Sequence, residues 1–465
     1  MQGADGAIPN AHTSVAFRWS LYWFYFTLGV NLALPVLPTK TLLMDDLKVE
    51  PATMAFTMSC MNLPWSVKPL YGFVSDSYPI RGRRRLPYVA FGLSICACAA
   101  LSLAKVGAAS GLLPVFLLLF LWSLALVVAD AACDSLLADN VQLETRSELG
   151  TLQSGVWIAR SIGSLLASIF AGVAMDYFKL SSSHMFALSG CLSLSGLASV
   201  IFIVEARAPP DQCSIVARLR DLLAFWSHEH IWKTCAFVFM FSAMPTSGDV
   251  IFYFMRQRLG FSLAFLGVLN VAGHASYVIG SWVYRDYLRL MPFRSMLKRT
   301  IWAAFVVGIS TLLLVQRWNL VLHVPDWAFV LGDTAFVAAC SQIAFMPIAV
   351  LAAKVAPKGA EGTIYNSVIS VFNLGSVVSE FTGGLLTKAL GVREGDFDNL
   401  WALIVICNLT TLLPVPLLSM LPDIGNAKDG ASDDEASLSD VSVGGAGMEP
   451  SKRDNVTEMT PLFEK

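Results

Sequence analysis

About twelve stretches of roughly twenty apolar residues follow one another along this chain, and that is the length of helix that crosses the hydrocarbon core of a bilayer. They centre near Phe26, Leu63, Ser94, Leu121, Ile162, Leu194, Phe239, Val271, Val307, Phe336, Leu374 and Cys407. With 55% hydrophobic and only 14% charged residues, the chain lacks the polar surface a soluble globule needs. The expected fold is therefore all-α, a polytopic membrane protein of twelve transmembrane helices. A net charge of −2 leaves no excess of basic surface for nucleic acid. The nine cysteines lie mostly inside apolar runs and read as buried thiols, without metal-ligand spacing.

The longest internal polar stretch separates the sixth run from the seventh. It divides the chain into a cytoplasmic amino-terminal segment (1–16), a six-helix bundle (17–205), a cytoplasmic connector (206–230), a second six-helix bundle (231–422) and an acidic, Ser- and Gly-rich tail (423–465). The tail cannot bury enough apolar surface to fold and is expected to be disordered. Its Ser432 and the stretch Glu458–Phe463 have the look of a phosphate acceptor and a dileucine-type sorting signal, with a plain solvated tail as the alternative. Before Phe17 no Arg-rich or Ser-rich leader pattern is present, so the first run is expected to act as an uncleaved anchor. Cytoplasmic loops collect Lys and Arg. An inside amino terminus places Arg81 to Arg85, Arg146, Arg207, Arg218, Arg285, Arg294, Lys298, Arg299 and Lys354 on that side, so both termini are expected in the cytoplasm. The two halves repeat: Gly150-Thr-Leu-Gln-Ser-Gly-Val, Gly163-Ser and Gly172 align without gaps on Gly362-Thr-Ile-Tyr-Asn-Ser-Val, Gly375-Ser and Gly384. The bundles are thus expected to be pseudo-symmetric, as in many transporters.

Ionised side chains inside apolar spans cost roughly 2.5 kcal/mol or more each by insertion scales, so they mark function or tight pairing. Asp130 and Asp134 are spaced i, i+4 and share one face of span four. Residue counting places Asp130 level with Arg160 of span five and Asp134 level with Lys68 of span two, which predicts those two ion pairs. Two acids so close do not both ionise readily, which suits proton coupling; a purely structural ladder of ion pairs is the alternative. Span five carries a polar stripe of Gln153, Trp157, Arg160 or Ser161, Ser164 and Ser168. Arg160 offers a donor fork to a carboxylate and Trp157 a flat π surface, together suited to a planar anionic solute. A packing seam of small residues is the rival reading. In the second half, Asn373 and Glu380 of span eleven repeat the arrangement as candidate solute contacts. Asp249 and Asp333 sit in the outer halves of spans seven and ten, to gate or bind a coupling cation, or else to pair with Arg256 or Arg258.

The loop after span two runs from Gly72 through Asp76 to Gly82, Arg84 and Arg85. Gly72 with Asp76 four residues on, then Gly82 with basic residues, resembles the signature of the major facilitator superfamily, with a longer Asp-to-Gly spacing. A gating role follows, with Asp76 capping a helix of the opposite half.

With their flanks these stretches resemble the folate-biopterin transporter family of that superfamily. The resemblance rests on Leu63-Pro-Trp-x-x-Lys-Pro-Leu-Tyr-Gly72, Ser75-Asp-Ser77, Asp130-x-x-x-Asp-Ser135, Leu152-Gln-Ser-x-x-Trp157 and Phe252-Tyr-Phe254 with Leu259-Gly-Phe261. Leu331-Gly-Asp333, Phe345-Met-Pro347 with Val350-Leu-Ala-Ala353, and Asn408 to Leu417 complete it. It implies the major facilitator fold and a proton-coupled symport of folates or pterins by alternating access, the partners being a small-molecule substrate, protons and the lipid bilayer, with the chain as a monomer and no cofactor. The family also holds carriers of other amphipathic metabolites such as S-adenosylmethionine, and a non-transporting receptor could share the fold. The plasma membrane is the expected location, with endolysosomal and plastid-envelope membranes as alternatives. No His-Glu-x-x-His, zinc-spaced cysteine pair or phosphate-binding glycine loop points to an enzyme. His228-Glu-His230 reads as solvated, and His274 as a packing histidine with proton relay as the alternative.

Overall fold

The computed structural model describes residues 15–141, 151–203, 205, 220, 228–288, 291–355 and 361–421, all within one compact unit, Met1–Asp423. The side chain of Asp76 lies outside the described residues. So do nearly all of the connector expected over 206–230 and the whole tail expected over 423–465.

The described chain is helical throughout, as hydrocarbon demands, because only intrasegment hydrogen bonds satisfy the backbone there. In chain order the helices are α1 (Val15–Ala33), α2 (Val36–Thr41), α3 (Pro51–Asn62), α4 (Lys68–Ser77), α5 (Leu86–Val106), α6 (Leu112–Val141), α7 (Thr151–Asp176) and α8 (Ser182–Ser199). They continue with α9 (Glu229–Ser242), α10 (Gly248–Tyr253), α11 (Leu263–Val283), α12 (Phe293–Val315), α13 (Trp318–Val321), α14 (Asp326–Val355), α15 (Glu361–Ala389) and α16 (Leu400–Thr410). Among the described residues nine helical segments are long and apolar enough to span a bilayer. The runs centred on Leu63, Phe239 and Cys407 are interrupted instead. Pro64 and Pro69 divert span two through a 3-10 turn, Leu63–Val67. Pro245 ends α9 ahead of α10, since proline lacks the N–H that would continue the ladder. Ile201, 82% exposed, belongs to a belt of outward apolar side chains that would be a liability in water and suits lipid.

The repeat seen in span five holds for the whole body at one offset, 212 positions. Span one ends in a π-helical turn, Leu42–Asp46, closed by Leu47 N–H to Leu42 O and Val49 N–H to Leu43 O. Span seven ends in a second, Phe254–Arg258, closed by Leu259 N–H to Phe254 O and Phe261 N–H to Met255 O. The left-handed residue after each is Lys48 (φ 53°) in one and Gly260 (φ 68°) in the other. Helix pairings repeat likewise: α1 packs on α7 as α9 packs on α15, and α5 on α8 as α12 on α16.

The halves meet where small residues let backbones approach. A Cβ on Gly172 of α7 would lie 3.1 Å from Gly267 Cα of α11, and one on Gly384 of α15 would lie 3.2 Å from Ala55 Cβ of α3. Gly172 and Gly384 are repeat partners, as are Ala55 and Gly267, so one contact is built twice. Such small-residue crossings supply van der Waals packing where lipid removes the hydrophobic drive.

Candidate functional site

The site begins with α6. Helical spacing puts Asp130 and Asp134 one turn apart on one face, and three other helices supply their partners. Lys68 opens α4 directly after the Pro64 turn, a position where a cation meets the positive end of the helix dipole and so needs compensation. Its Nζ donates to Asp130 Oδ2 and to Asp134 Oδ2, both at 2.6 Å. Arg160 of α7 reaches Asp130 Oδ1 at 3.2 Å, and its guanidinium lies 5.2 Å from the ring centroid of Trp157, one turn earlier. Tyr25 of α1, fully buried, donates its hydroxyl to Asp134 Oδ1 at 2.8 Å.

The two expected ion pairs are both present, and Lys68 adds a third contact by bridging the acids. The four charges sum to zero, which is how a charged cluster persists in a low-dielectric bundle. The acids differ in access: the Asp130 side chain is 0% exposed, that of Asp134 33%. Trp157 is 49% exposed, so its ring is the open edge of the cluster. At the repeat offset, Lys68, Asp130 and Arg160 correspond to Gly280, Gln342 and Phe372. The register is confirmed by contact, because a Cβ on Gly280 would lie 3.0 Å from Gln342 Cβ where Lys68 meets Asp130. Gln342 instead donates to Ser281 Oγ at 3.0 Å, and among the described residues the second half carries no counterpart of the ion cluster.

Span eleven faces the cluster from the other half. Asn373 Nδ2 donates to the Trp65 carbonyl at 3.2 Å, and the Trp65 ring lies 6.0 Å from Lys68 Nζ. Glu380 accepts both its contacts from Asn62 Nδ2, at 3.1 and 3.2 Å, and Ser59 Oγ donates to Val377 O at 2.8 Å. Asn373 therefore lines the seam between halves beside the cluster, while Glu380 lies farther along the seam, towards Lys40 and Asp249.

Asp249 and Asp333 lie elsewhere, and neither takes the arginine partner considered for it. Asp249 pairs across the halves with Lys40 of α2 at 2.8 Å, and Lys40 also lies 5.1 Å from the Phe252 ring. Asp333 accepts from the hydroxyls of Ser310 and Thr311 on α12. Arg256 donates to Phe261 O and lies 4.0 Å from Asp45. This end of the molecule is further closed by Tyr253 donating to Val49 O and by Ala264 N–H donating to Asp176.

In the basic loop, Arg81 (φ 53°) and Gly82 (φ 76°) form the two positive-φ positions of a tight reversal closed by Ile80 and Arg83. Such a turn favours glycine at Gly82. The backbone N–H groups of Arg84, Arg85 and Leu86 converge on the Glu205 carboxylate at 2.7 to 2.9 Å, and Arg85 donates to Ser75 Oγ at 2.9 Å. The start of α5 is thus capped by an acid of its own half. Gly72 packs α4 on α6, 3.9 Å from Ser135 Oγ for an added Cβ. The capping of a facing helix expected of Asp76 falls outside the described residues.

Sequence reasoning missed Tyr25, Lys40, Asn62 and Glu205. Tyr25 stands in a run of seven residues, Tyr22 to Leu28, with four other aromatic or apolar rings nearby and nothing to single out its hydroxyl. Lys40 was visible as a lone cation and reads most simply as a loop charge. His274 is exposed with its ring edge-on to Tyr277, rather than packed and satisfied.

The sequence model of the BT1 family matches residues 28–440. A folate-biopterin transporter of Synechocystis sp. is 33% identical over 400 residues, covering 86% of this chain and 80% of that protein. A probable folate-biopterin transporter of Arabidopsis thaliana is 28% identical, covering 88% and 96%. A folate transporter of Plasmodium falciparum is 26% identical, covering 83% and 76%. Among solved structures, the nucleoside transporter NupG superposes with a TM-score of 0.65 at 12% identity, covering 87% of this chain and 98% of that one. A D-xylose-proton symporter superposes with 0.64 at 13% identity, covering 88% and 98%. The fold is the major facilitator fold, and the protein is an integral, multi-pass membrane transporter rather than an enzyme. The chain belongs to the BT1 family of folate-biopterin transporters.

Proposed function

We propose that this protein carries folates or pterins across its membrane by alternating access, drawing in one proton with each anionic solute. The observation that carries the reading is the shared ammonium of Lys68, held between a sealed Asp130 and an accessible Asp134. The quartet of Lys68, Arg160, Asp130 and Asp134 is neutral when both acids are ionised. A proton on Asp134 leaves one positive charge in excess, beside the exposed face of Trp157. A carboxylate then completes the balance, so proton and anion each favour the other's binding, as linkage requires.

Trp157 stacks the planar ring system, Arg160 and Lys68 meet the carboxylate, and Asn373 and Glu380 close on the solute from the opposite half. Asp134 loads the proton, while Asp130 holds Lys68 and Arg160 in place. Asp249, through Lys40, and Asp333 tune the closed end. Gly72 and Asp76 of α4, with Gly82, Arg84 and Arg85 of the turn that follows it, gate the other. Support for the solute class comes from the names of the relatives, and support for coupling from the charge balance.

The test is uptake of labelled folic acid and biopterin into proteoliposomes containing the protein, at two external pH values. Accumulation above the external concentration, stimulated by acid outside, is expected. Stoichiometric binding without accumulation would make the protein a receptor. Accumulation that ignores pH in the native protein would remove the proton from the cycle.

A further inference from the structure

One face of α12 combines a basic cavity with an apolar groove. The cavity, of about 400 Å³, is lined by Ser295, Lys298, Arg299 and Trp302. Lys298 and Arg299 are exposed and form no ion pair among the described residues, the Arg299 guanidinium having only Met291 Sδ at 3.6 Å. Asp286, on the π-helical turn Tyr284–Leu288 that precedes α12, is engaged by Arg285 at 2.7 Å. Further along the same helix, a groove of about 120 Å³ runs between α12 and α16, with Phe305, Ile309, Leu312 and Leu409 in its walls. Asn408, also in the groove, is satisfied by the Phe305 carbonyl at 2.9 Å, so the lining is effectively apolar.

Lys298, Trp302, Phe305, Ile309 and Leu312 recur at intervals of three and four and form one continuous stripe. From Lys298 to Ile309 the helix rises about 16 Å, enough to pass from the headgroup layer well into the acyl region. Trp302 lies between the two parts, and indole rings favour the membrane interface.

We propose that this stripe is a binding site for one anionic phospholipid, its phosphate on Lys298 and Arg299 and an acyl chain in the groove between α12 and α16. Charge complementarity selects the headgroup: two free cations at the membrane surface attract a phosphodiester, and a zwitterion offers no net charge to match. The inference is independent of which solute the protein carries.

The test uses the purified full-length protein in detergent, titrated with phosphatidylglycerol or with phosphatidylcholine of the same chain length and read by native mass spectrometry. Preferential retention of phosphatidylglycerol by about thirtyfold is expected, since each surface cation is worth a factor of about five. The double variant Lys298→Ala/Arg299→Ala loses that preference, while Lys298→Arg/Arg299→Lys keeps it; both side chains are exposed, so neither change disturbs the core. Equal retention of the two lipids by the native protein overturns the proposal. So does an undiminished preference in the double alanine variant, or complete displacement by an equal concentration of glycerol phosphate, which would assign the cavity to a soluble phosphoester.

Discussion

Asp130 and Asp134 lie one helical turn apart and hold the same ammonium at the same 2.6 Å, yet one is sealed from solvent and the other is a third exposed. Asp130 compensates two cations, Lys68 and Arg160, whereas Asp134 shares Lys68 and accepts a neutral hydroxyl from Tyr25. One carboxylate is bound up in structure, and the other can exchange with water.

The two acids should therefore fail differently. Asp130→Asn leaves Lys68 with Asp134 alone and Arg160 facing a neutral amide, and breaking such a buried pair costs roughly 3–5 kcal/mol. A clear fall in detergent melting temperature and in the yield of folded protein is expected. Asp134→Asn keeps the fold and removes the group proposed to load the proton, so its uptake should lose acid stimulation while solute binding persists. Size-exclusion profiles and paired uptake curves at two pH values separate these outcomes. Equal melting temperatures for the two variants would contradict the division of labour.

Gly172 and Gly267 bring α7 against α11, as their repeat partners Gly384 and Ala55 bring α15 against α3. A carrier that opens this end must part both crossings. In Gly172→Cys/Gly267→Cys each new Cβ lies 3.0–3.1 Å from the opposite Cα, so the two helices part slightly before the thiols can close a disulfide. Oxidation should arrest uptake, and reduction should restore most of it. Ala55→Cys/Gly384→Cys should behave alike, and uptake that continues with either crossing fully oxidised would mean that these contacts never separate.

Much of this arrangement was legible beforehand, and for reasons that can be named. Asp130, Asp134, Lys68 and Arg160 stand out because charge is rare in apolar spans, and counting residues along antiparallel helices places each at a depth. The Gly163/Gly375 alignment exposes the repeat because close helix contacts tolerate only the smallest side chain. The partnership of Lys40 with Asp249 was not legible, since it joins two halves whose mutual register no local pattern encodes. Nor was Glu205, an acid at the end of span six whose role depends on three amides of a distant loop. The break in span seven is readable in Pro245 and Gly248, which loosen the helix there, whereas that in span two follows from Pro64 and Pro69 and was hidden by the smooth hydropathy of its flanks.

Lys48 carries the left-handed conformation that its repeat partner Gly260 adopts without a Cβ. For an L-residue that conformation costs about 1–2 kcal/mol. Lys48 is exposed and forms no ion pair among the described residues. Lys48→Gly should raise the melting temperature by a few degrees, offset in part by the added freedom of glycine in the unfolded chain. The reverse exchange, Gly260→Lys, should lower it by a similar amount. Thermal unfolding followed by intrinsic tryptophan fluorescence reads both, and a destabilised Lys48→Gly protein would show that the lysine makes a compensating contact.

Lys40 and Asp249 join the two halves at the closed end, with side chains 20% and 12% exposed. A pair so shielded is stronger than an open surface bridge and weaker than a sealed one, so a coupling energy within about 0.5–3 kcal/mol is expected from a double-mutant cycle. Lys40→Ala and Asp249→Ala should each loosen that end and lower the barrier to opening it, with similar changes in uptake rate. The double alanine variant should resemble either single one, because the contact is lost only once. The charge-swapped protein, Lys40→Asp/Asp249→Lys, should recover part of the native rate, limited by loss of the Lys40 contact with the Phe252 ring. Strictly additive effects of the two alanine changes would show that the 2.8 Å contact carries no energy in the transport cycle.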